Sequence, residues 1–471
     1  MSVATPLQSD TQVSLESEQA LSTFLRANQA CLAPGQSRLL SFSDQISQVD
    51  PLQIFAALNL QETVHFYSEN AARQEIILAF GMCQSLRVSG KYRFHLAQQF
   101  AEDCFKQLVP IANGAGFMDL PAIFCGFSFF DSPVRRGLFP NSFLFLPEIQ
   151  VVMGPDGGRV SCQVRLNANT NLATLVPALL AKLAVIRHPP RLSPPPLTSG
   201  IDLPHQSPAT DLSQAIATSL HNIHRHQLSK VVLATALDIN GRQPFRIVHC
   251  LQRLRRCYGD CHLFSLGNGS GDCFIGASPE RLLSLHKGHL ITDALAGSAP
   301  RGNTPSADQQ LGQHILHNPK EQREHQAVLE YLLTRLTALG LTPHASALKL
   351  LKLSNIQHLW TQVCATLPPN LHPLQLVAQL HPTPAVAGVP AAIACNFIRQ
   401  HETFERGLYA APLGWVDSQG NSEFIVGIRS ALISQNQARV YAGAGIVAGS
   451  NPQQEVAEIA LKLQTLQRAL V

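Results

Sequence analysis

The stretch that most constrains this chain is residues 438–462, ARVYAGAGIVAGSNPQQEVAEIALK, which joins a strand, a glycine turn and a charged helix. Val440 and Tyr441 suit a strand, and Gly443, Gly445 and Gly449 permit close backbone approach. Asn451 and Pro452 supply an N-cap followed by proline at the first helical position. In the helix that follows, Val456, Ile459, Ala460, Leu463 and Leu466 form one apolar stripe, and Glu455, Glu458 and Lys462 share a wedge roughly 60° wide beside it. Two carboxylates therefore stand one helical turn apart on the rim of a core.

A second stretch, residues 318–340, answers the first. Asn318 caps, Pro319 follows, and Glu321 occupies the position of a capping-box glutamate. Glu324 shares the stripe later filled by Val328, Tyr331, Leu332 and Leu339, where a carboxylate needs a partner. Two ExxE pairs on two capped helices would supply four oxygen ligands suited to a hard cation such as Mg²⁺. The competing reading is two solvated helix faces, because this spacing is common on ordinary helices.

With 471 residues, 45% of them hydrophobic, the chain can bury a large core. A net charge of +4, with no Lys/Arg block and no basic-aromatic interleaving, gives no indication of nucleic acid. No apolar run reaches membrane-spanning length, and the first residues lack a cationic start and an apolar core, so no secretory signal is read and a cytoplasmic location is expected. Eleven scattered cysteines read as reduced thiols packed as small hydrophobes. Cys250, Cys257, Cys261, His262 and Cys273 are near one another in sequence but contain no CxxC, which argues against zinc.

Residues 1–190 read as a scaffold region of the same compact fold. It has strands at 62–68, 76–86, 122–131 and 144–152 and an amphipathic helix at 94–108. The proline-rich residues 187–200 are the best linker candidate, and residues 201–471 carry the motifs. A helix is expected at 211–227 and a strand at 229–239 that opens with Lys230, by default a snorkelling surface residue. Residues 273–285 read as strand, Ser-Pro corner and strand, with Glu280 beside Arg281 as a local ion pair in the plainest reading. A strand at 288–302 runs into Ala296, Gly297 and Ser298, small enough to admit a ligand or merely tight packing. His358 lies in an apolar context that usually marks a core histidine. The three prolines of 381–390 stiffen a loop, 397–405 reads as a helix, and 407–416, 423–433 and 438–443 read as consecutive strands, the first two joined by a hairpin at 418–421. Arg429, in an otherwise apolar strand, calls for an anion.

Taken together, KVVLA at 230, SPERL at 278, ALAGSAPRG at 294, KEQREH at 320, HPTPAVAG at 381, ERGLYAAPLGW at 405, GIRSALI at 427 and AGAGIVAGSNPQQEVAEIALK at 442 form an ordered set. It resembles the chorismate-utilising enzymes, and among them the isochorismate branch, firmly over residues 200–471. The resemblance implies an α+β fold of large, mostly antiparallel sheets packed face to face with helices outside. It implies that Glu324 and Glu458 bind Mg²⁺ directly, with Glu321 and Glu455 holding its waters or orienting the ligands. Lys230 would be the general base and Glu280 the general acid for water attack at C2 of chorismate with loss of the C4 hydroxyl. Arg429, Tyr409 and the backbone at Gly443 would hold the enolpyruvyl carboxylate; Ala296, Gly297, Ser298, Gly445, His358 and Lys462 match further site positions.

Position 230 separates the branches: ammonia-using anthranilate synthases carry Gln there and rely on an amidotransferase partner, so Lys230 implies water and no such partner. Ala296 replaces the nucleophilic lysine of aminodeoxychorismate synthases, and Ala385 replaces a threonine of anthranilate and salicylate synthases. A salicylate synthase, which eliminates pyruvate in the same pocket, is the nearer alternative. A non-catalytic chorismate- or metal-binding protein is the alternative of another class, opposed by Lys230 and Glu280. A dinucleotide site at Gly443, Gly445 and Gly449 is refused by the lack of a following strand. A monomer is slightly favoured.

Overall fold

The computed structural model describes residues 17–111, 121–132, 137–194, 201–202, 209–354 and 356–470. The sequence readings on residues 1–16 and on the 195–200 part of the linker lie outside these. The described residues build two large sheets. A thirteen-stranded sheet runs from Ile201–Asp202 through Lys230–Gly241, Gln437–Val447, Ser430–Ser434, Asp272–Ser278 and His262–Asn268, then continues into Val64–Asn70, Glu75–Phe80, Ile149–Gly154, Gly157–Asn167, Ser37–Ile46 and Leu108–Ile111, with Gly388–Val389 added beside Lys230–Gly241 off this path. A ten-stranded sheet places His289–Pro300, Arg281–His286, Ser422–Val426 and Pro412–Val416 beside Ile123–Phe127 and Ser142–Leu146. Pairing is antiparallel except between Ser37–Ile46 and Leu108–Ile111. The strands of the first 170 residues thus complete both sheets, through Val64–Asn70 on His262–Asn268 and Ile123–Phe127 on Pro412–Val416.

The sheets face one another across one apolar core. Phe66 of one meets Phe124 of the other with ring centroids 5.0 Å apart. Gly126 is a glycine because a Cβ there would strike Leu266 of the opposite sheet at 2.5 Å. Among the described residues no helix is long and apolar enough to cross a membrane.

Four runs change sheets midway, and two of these crossings place site residues; residues 76–86, expected as one strand, are Glu75–Phe80 of the larger sheet and Gln84–Val88 of the smaller, parted at Gly81. Residues 144–152 are two strands, Ser142–Leu146 and Ile149–Gly154, because the Pro147–Glu148 corner carries the chain from one sheet to the other. At the Pro279–Glu280 corner the chain leaves Asp272–Ser278 for Arg281–His286, as the Ser-Pro dipeptide predicts. Residues 423–433 are likewise two strands, broken at Gly427–Arg429, so Arg429 is a corner residue with φ 48° and not a strand residue. The last two crossings bond to each other: Val426 N–H donates to Glu280 O (3.0 Å), Ala277 N–H to Arg429 O (3.1 Å), and Ser278 Oγ to Val426 O (2.6 Å).

The helix expected at 397–405 is Ala391–His401, and it stops where Glu402 turns toward Arg406. Arg406, 2% exposed, donates to both carboxylate oxygens of Glu402, at 2.8 and 2.5 Å, and to the carbonyls of Val386 (2.7 Å) and Val232 (2.9 Å). Glu402 in turn accepts from Ala234 N–H at 2.9 Å. One buried pair therefore ties the strand carrying Lys230 to the 381–390 loop. Removing one partner strands a buried charge, so Glu402→Gln and Arg406→Leu should each cost about 3–5 kcal/mol of stability. Urea unfolding measures this, and a loss below about 1 kcal/mol would show a pair no better than a surface one.

Candidate active site

Two helices bring the carboxylates together. Pro319–Ala338 packs on the strand His289–Pro300 of the smaller sheet, and Pro452–Leu470 packs on Gln437–Val447 of the larger one. Both start as the sequence predicts: Asn318 Oδ1 accepts from the N–H groups of Lys320 and Glu321, and Asn451 Oδ1 from those of Gln453 and Gln454. Their first turns meet at a cavity of about 130 Å³ between the sheets. It is lined by Glu280, Ala296, Gly297, Ser298, Glu321, Glu324, His358, Tyr409, Arg429, Gly443, Gly445, Glu455, Glu458 and Lys462. Every candidate residue except Lys230 is on this wall, and Lys230 reaches it through Glu324.

Each carboxylate has a cationic or N–H partner. Glu324 Oε1 is 2.9 Å from Lys230 Nζ, whose side chain is 1% exposed and makes no hydrogen bond of good geometry besides this ionic contact. Glu458 Oε1 pairs with Lys462 Nζ at 2.8 Å and accepts from Ser298 Oγ at 3.2 Å, while Lys462 also donates to Gly443 O at 2.9 Å. Burial works against the charged form of Glu458, but these partners outweigh it and hold its carboxyl below the ordinary value. Glu321 does not close a capping box: its Oε2 accepts from Ser298 N–H at 3.0 Å. Burial, then the charge of Glu324, pushes Glu321 above the ordinary carboxyl value. Glu455, 3% exposed, pairs with Lys320 at 2.9 Å.

The glycines of the sequence pattern make this packing possible. A Cβ on Gly445 would collide with Glu324 Oε1, and one on Gly297 would come within 3.0 Å of Glu321 Oε2. Gly297, at φ 73°, also sits in the register shift between Ala296 and Ser298, which turns Ser298 toward the two helices.

Burial pushes the Glu280 carboxyl up to about 8, with Lys230 pulling it down and Asp293 pushing it further up. Arg281 turns away to Asp293 (3.7 Å), so the local Glu280–Arg281 pair of the plainest reading is not what forms. His358 is held by both nitrogens: Nδ1 lies 3.2 Å from Gly297 O and Nε2 3.4 Å from Arg429 Nη2. Burial, then Arg429 and Lys462, depresses its pKa to about 3, so the neutral ring donates to Gly297 O and accepts from the guanidinium. Tyr409 stacks on Tyr441 at 5.0 Å.

Lys320 and Tyr441 also line the cavity and were not singled out from the sequence. Lys320 is visible only as the residue before Glu321, and Tyr441 reads as an ordinary strand aromatic. Cys250, Cys261 and Cys273 are buried free thiols, as small hydrophobes would be.

The donor set fits Mg²⁺. It is all carboxylate oxygen, and Gly445 and Gly297 let two of those oxygens lie close against the strands at the cavity. Among the described residues no three His, Cys, Asp or Glu side chains form a ready-made cage. Mg²⁺ needs none, since it usually keeps waters and is bound through one or two carboxylates plus substrate oxygens.

A cavity between antiparallel sheets, with a raised acid and paired carboxylates on its wall and a buried lysine behind Glu324, is built as the active site of an enzyme would be. The family described as "Chorismate binding enzyme" matches residues 26–471, and the chain belongs to it. It is 33% identical over 460 residues to the salicylate biosynthesis isochorismate synthase of Pseudomonas aeruginosa, covering 95% of this chain and 93% of that protein. It is 31% identical over 451 residues to the isochorismate synthase MenF of Bacillus subtilis, covering 92% and 93%. The solved menaquinone-specific isochorismate synthase MenF of Escherichia coli superposes with TM-score 0.77 at 29% identity, covering 98% of this chain and all of that one. Anthranilate synthase component I of Streptococcus pneumoniae, at 19% identity and TM-score 0.67 over 84% of this chain and 92% of that one, shares the fold.

Because Glu280 is raised in the folded chain, it stabilises the fold fully only below the ordinary carboxyl value of 4.5, and the contribution is lost as pH rises through about 8. Glu280→Gln has no charge to bury. It should melt higher than the parent at pH 8, with the gap closing toward pH 4.5; an equal difference at both pH values would show that Glu280 is not shifted.

Proposed function

We propose that the chain converts chorismate to isochorismate, reversibly and with Mg²⁺, by adding water at C2 as the C4 hydroxyl departs. The observation that carries this reading is a carboxylic acid raised to about 8 on the wall of a cavity that a buried lysine reaches through Glu324, with four carboxylates from two helix starts on the same wall. Full-length likeness to the menaquinone-specific synthase supports a place in menaquinone biosynthesis.

Glu324 and Glu458 would hold the cation, with Glu321 and Glu455 behind them. When bound, the cation supplies positive charge for the ring carboxylate. The remaining work falls to side chains. Glu280, still protonated at neutral pH, donates its proton to the departing C4 hydroxyl, which leaves as water. Lys230, freed from Glu324 and with its ammonium proton first released to solvent, accepts as the neutral amine the proton of the incoming water, so one water enters and one leaves and the ring double bonds shift between them. Arg429, oriented by neutral His358, faces the enolpyruvyl carboxylate, and Tyr409 and the Gly443 backbone complete that end. A lysine at 230 holds water as the nucleophile, and no amidotransferase is required.

Lys230→Ala and Glu280→Gln should fold and lose about 10²–10⁴-fold in kcat; near-normal turnover in either would refute its role. Since Glu280 donates only while protonated, kcat should fall above about pH 8, and a flat alkaline profile to pH 10 would count against it. Glu324→Gln and Glu458→Gln should abolish Mg²⁺-dependent turnover, whereas Glu455→Gln should lose about 10–100-fold. Chromatography of the products should show isochorismate from chorismate and chorismate from isochorismate. Anthranilate with ammonium, or salicylate with pyruvate as the main products, would move the chain to a sister branch.

A further inference from the structure

Four carboxylates from two helices face one small cavity, yet they do not have equal standing. Glu324 and Glu458 are each paired with a lysine that also serves elsewhere, since Lys230 is the base and Lys462 bonds the Gly443 carbonyl. Glu321 and Glu455 share a different lysine. Lys320 Nζ lies 2.9 Å from Glu455 Oε1 and 3.6 Å from Glu321 Oε1, bridging the two helices at their first turns. Its side chain is 27% exposed, and although burial works against its charge, Glu455 and Glu321 hold its pKa above the ordinary lysine value. It thus sits where a cation between these carboxylates would sit.

The charge of the cavity follows. Four glutamates face Lys230, Lys320, Lys462 and Arg429, while His358 is neutral and Glu280 is protonated, so the side chains of the cavity sum close to neutral. A divalent cation and a dicarboxylate, entering together, keep it so. Without Lys320, Glu321 and Glu455 would hold uncompensated negative charge beside Glu324 and Glu458, and like charges brought close repel unless a cation joins them.

We propose that Lys320 is a built-in cation: by occupying Glu321 and Glu455 it confines the divalent ion to Glu324 and Glu458 and keeps the site mononuclear. This rests on the metal reading given under the proposed function. Lys320 acts through the carboxylates and is a positioning residue.

Mn²⁺, counted by electron paramagnetic resonance of the free ion, serves as the probe, with and without chorismate. The parent should bind one Mn²⁺ per chain. Lys320→Met should bind two, the second more weakly, and Lys320→Arg should return the count to one. Thermal melting checks that both variants are folded. One Mn²⁺ per chain in Lys320→Met, or none, overturns the proposal. A parent chain that binds no Mn²⁺ even with chorismate overturns the metal reading beneath it, an outcome seen before any variant is made.

Discussion

The buried pair of Arg406 and Glu402 is the contact on which the site's geometry depends. Taking both charges out of water costs several kcal/mol per ion, repaid only when every donor finds an acceptor. Here the guanidinium is spent on Glu402 and on the Val386 and Val232 carbonyls, while its face covers the Phe129 ring at 4.4 Å. The polar groups it satisfies belong to a strand, a loop and a helix end, and it adds to the backbone ladder that already pairs Lys230 and Val231 with Val389 and Gly388. Lys230 is two residues from Val232, and Ala385 is next to Val386. The pair therefore helps fix where Lys230 stands relative to the loop wall.

The second constraint is the exchange of strands between sheets. Chains that stay in one sheet place their side chains on two faces only, alternating at every residue. A corner between sheets frees a residue from that alternation. Glu280 and Arg429 both occupy such corners, and the hydrogen bonds between the two crossings hold acid and arginine in one frame. Arg429 accepts a left-handed backbone, uncommon for a non-glycine residue, as part of that arrangement.

Much of the site was legible because its pieces carry local signals: two Asn-Pro helix starts, an ExxE on each, and glycines that a ligand or carboxylate must approach. The helix starts fell at the expected residues, since capping is decided within four positions of sequence. Sheet exchange was less legible. The runs at 144–152 and 423–433 are mostly apolar on both sides of the corner, because both sheets bury both ends, so hydrophobic pattern gives little mark of the crossing. Only Pro147 and Gly427 hint at it, as residues that interrupt ladders. Lys320 was invisible for a different reason. Its partner Glu455 is on another helix, and nothing in a lysine at a helix start distinguishes a solvated side chain from one that closes an inter-helix bridge.

The register of the larger sheet carries a consequence for how the molecule is made. Val64–Asn70 finds its neighbour in His262–Asn268, with His65 opposite Gly267. At ribosomal speeds of about 5–20 residues per second, the first strand waits roughly 10–40 s for the other to be synthesised. During that interval it offers an apolar edge with unpaired N–H and C=O groups, the kind of surface other chains can add to. The larger sheet therefore cannot close until residues more than half-way along the chain have been translated.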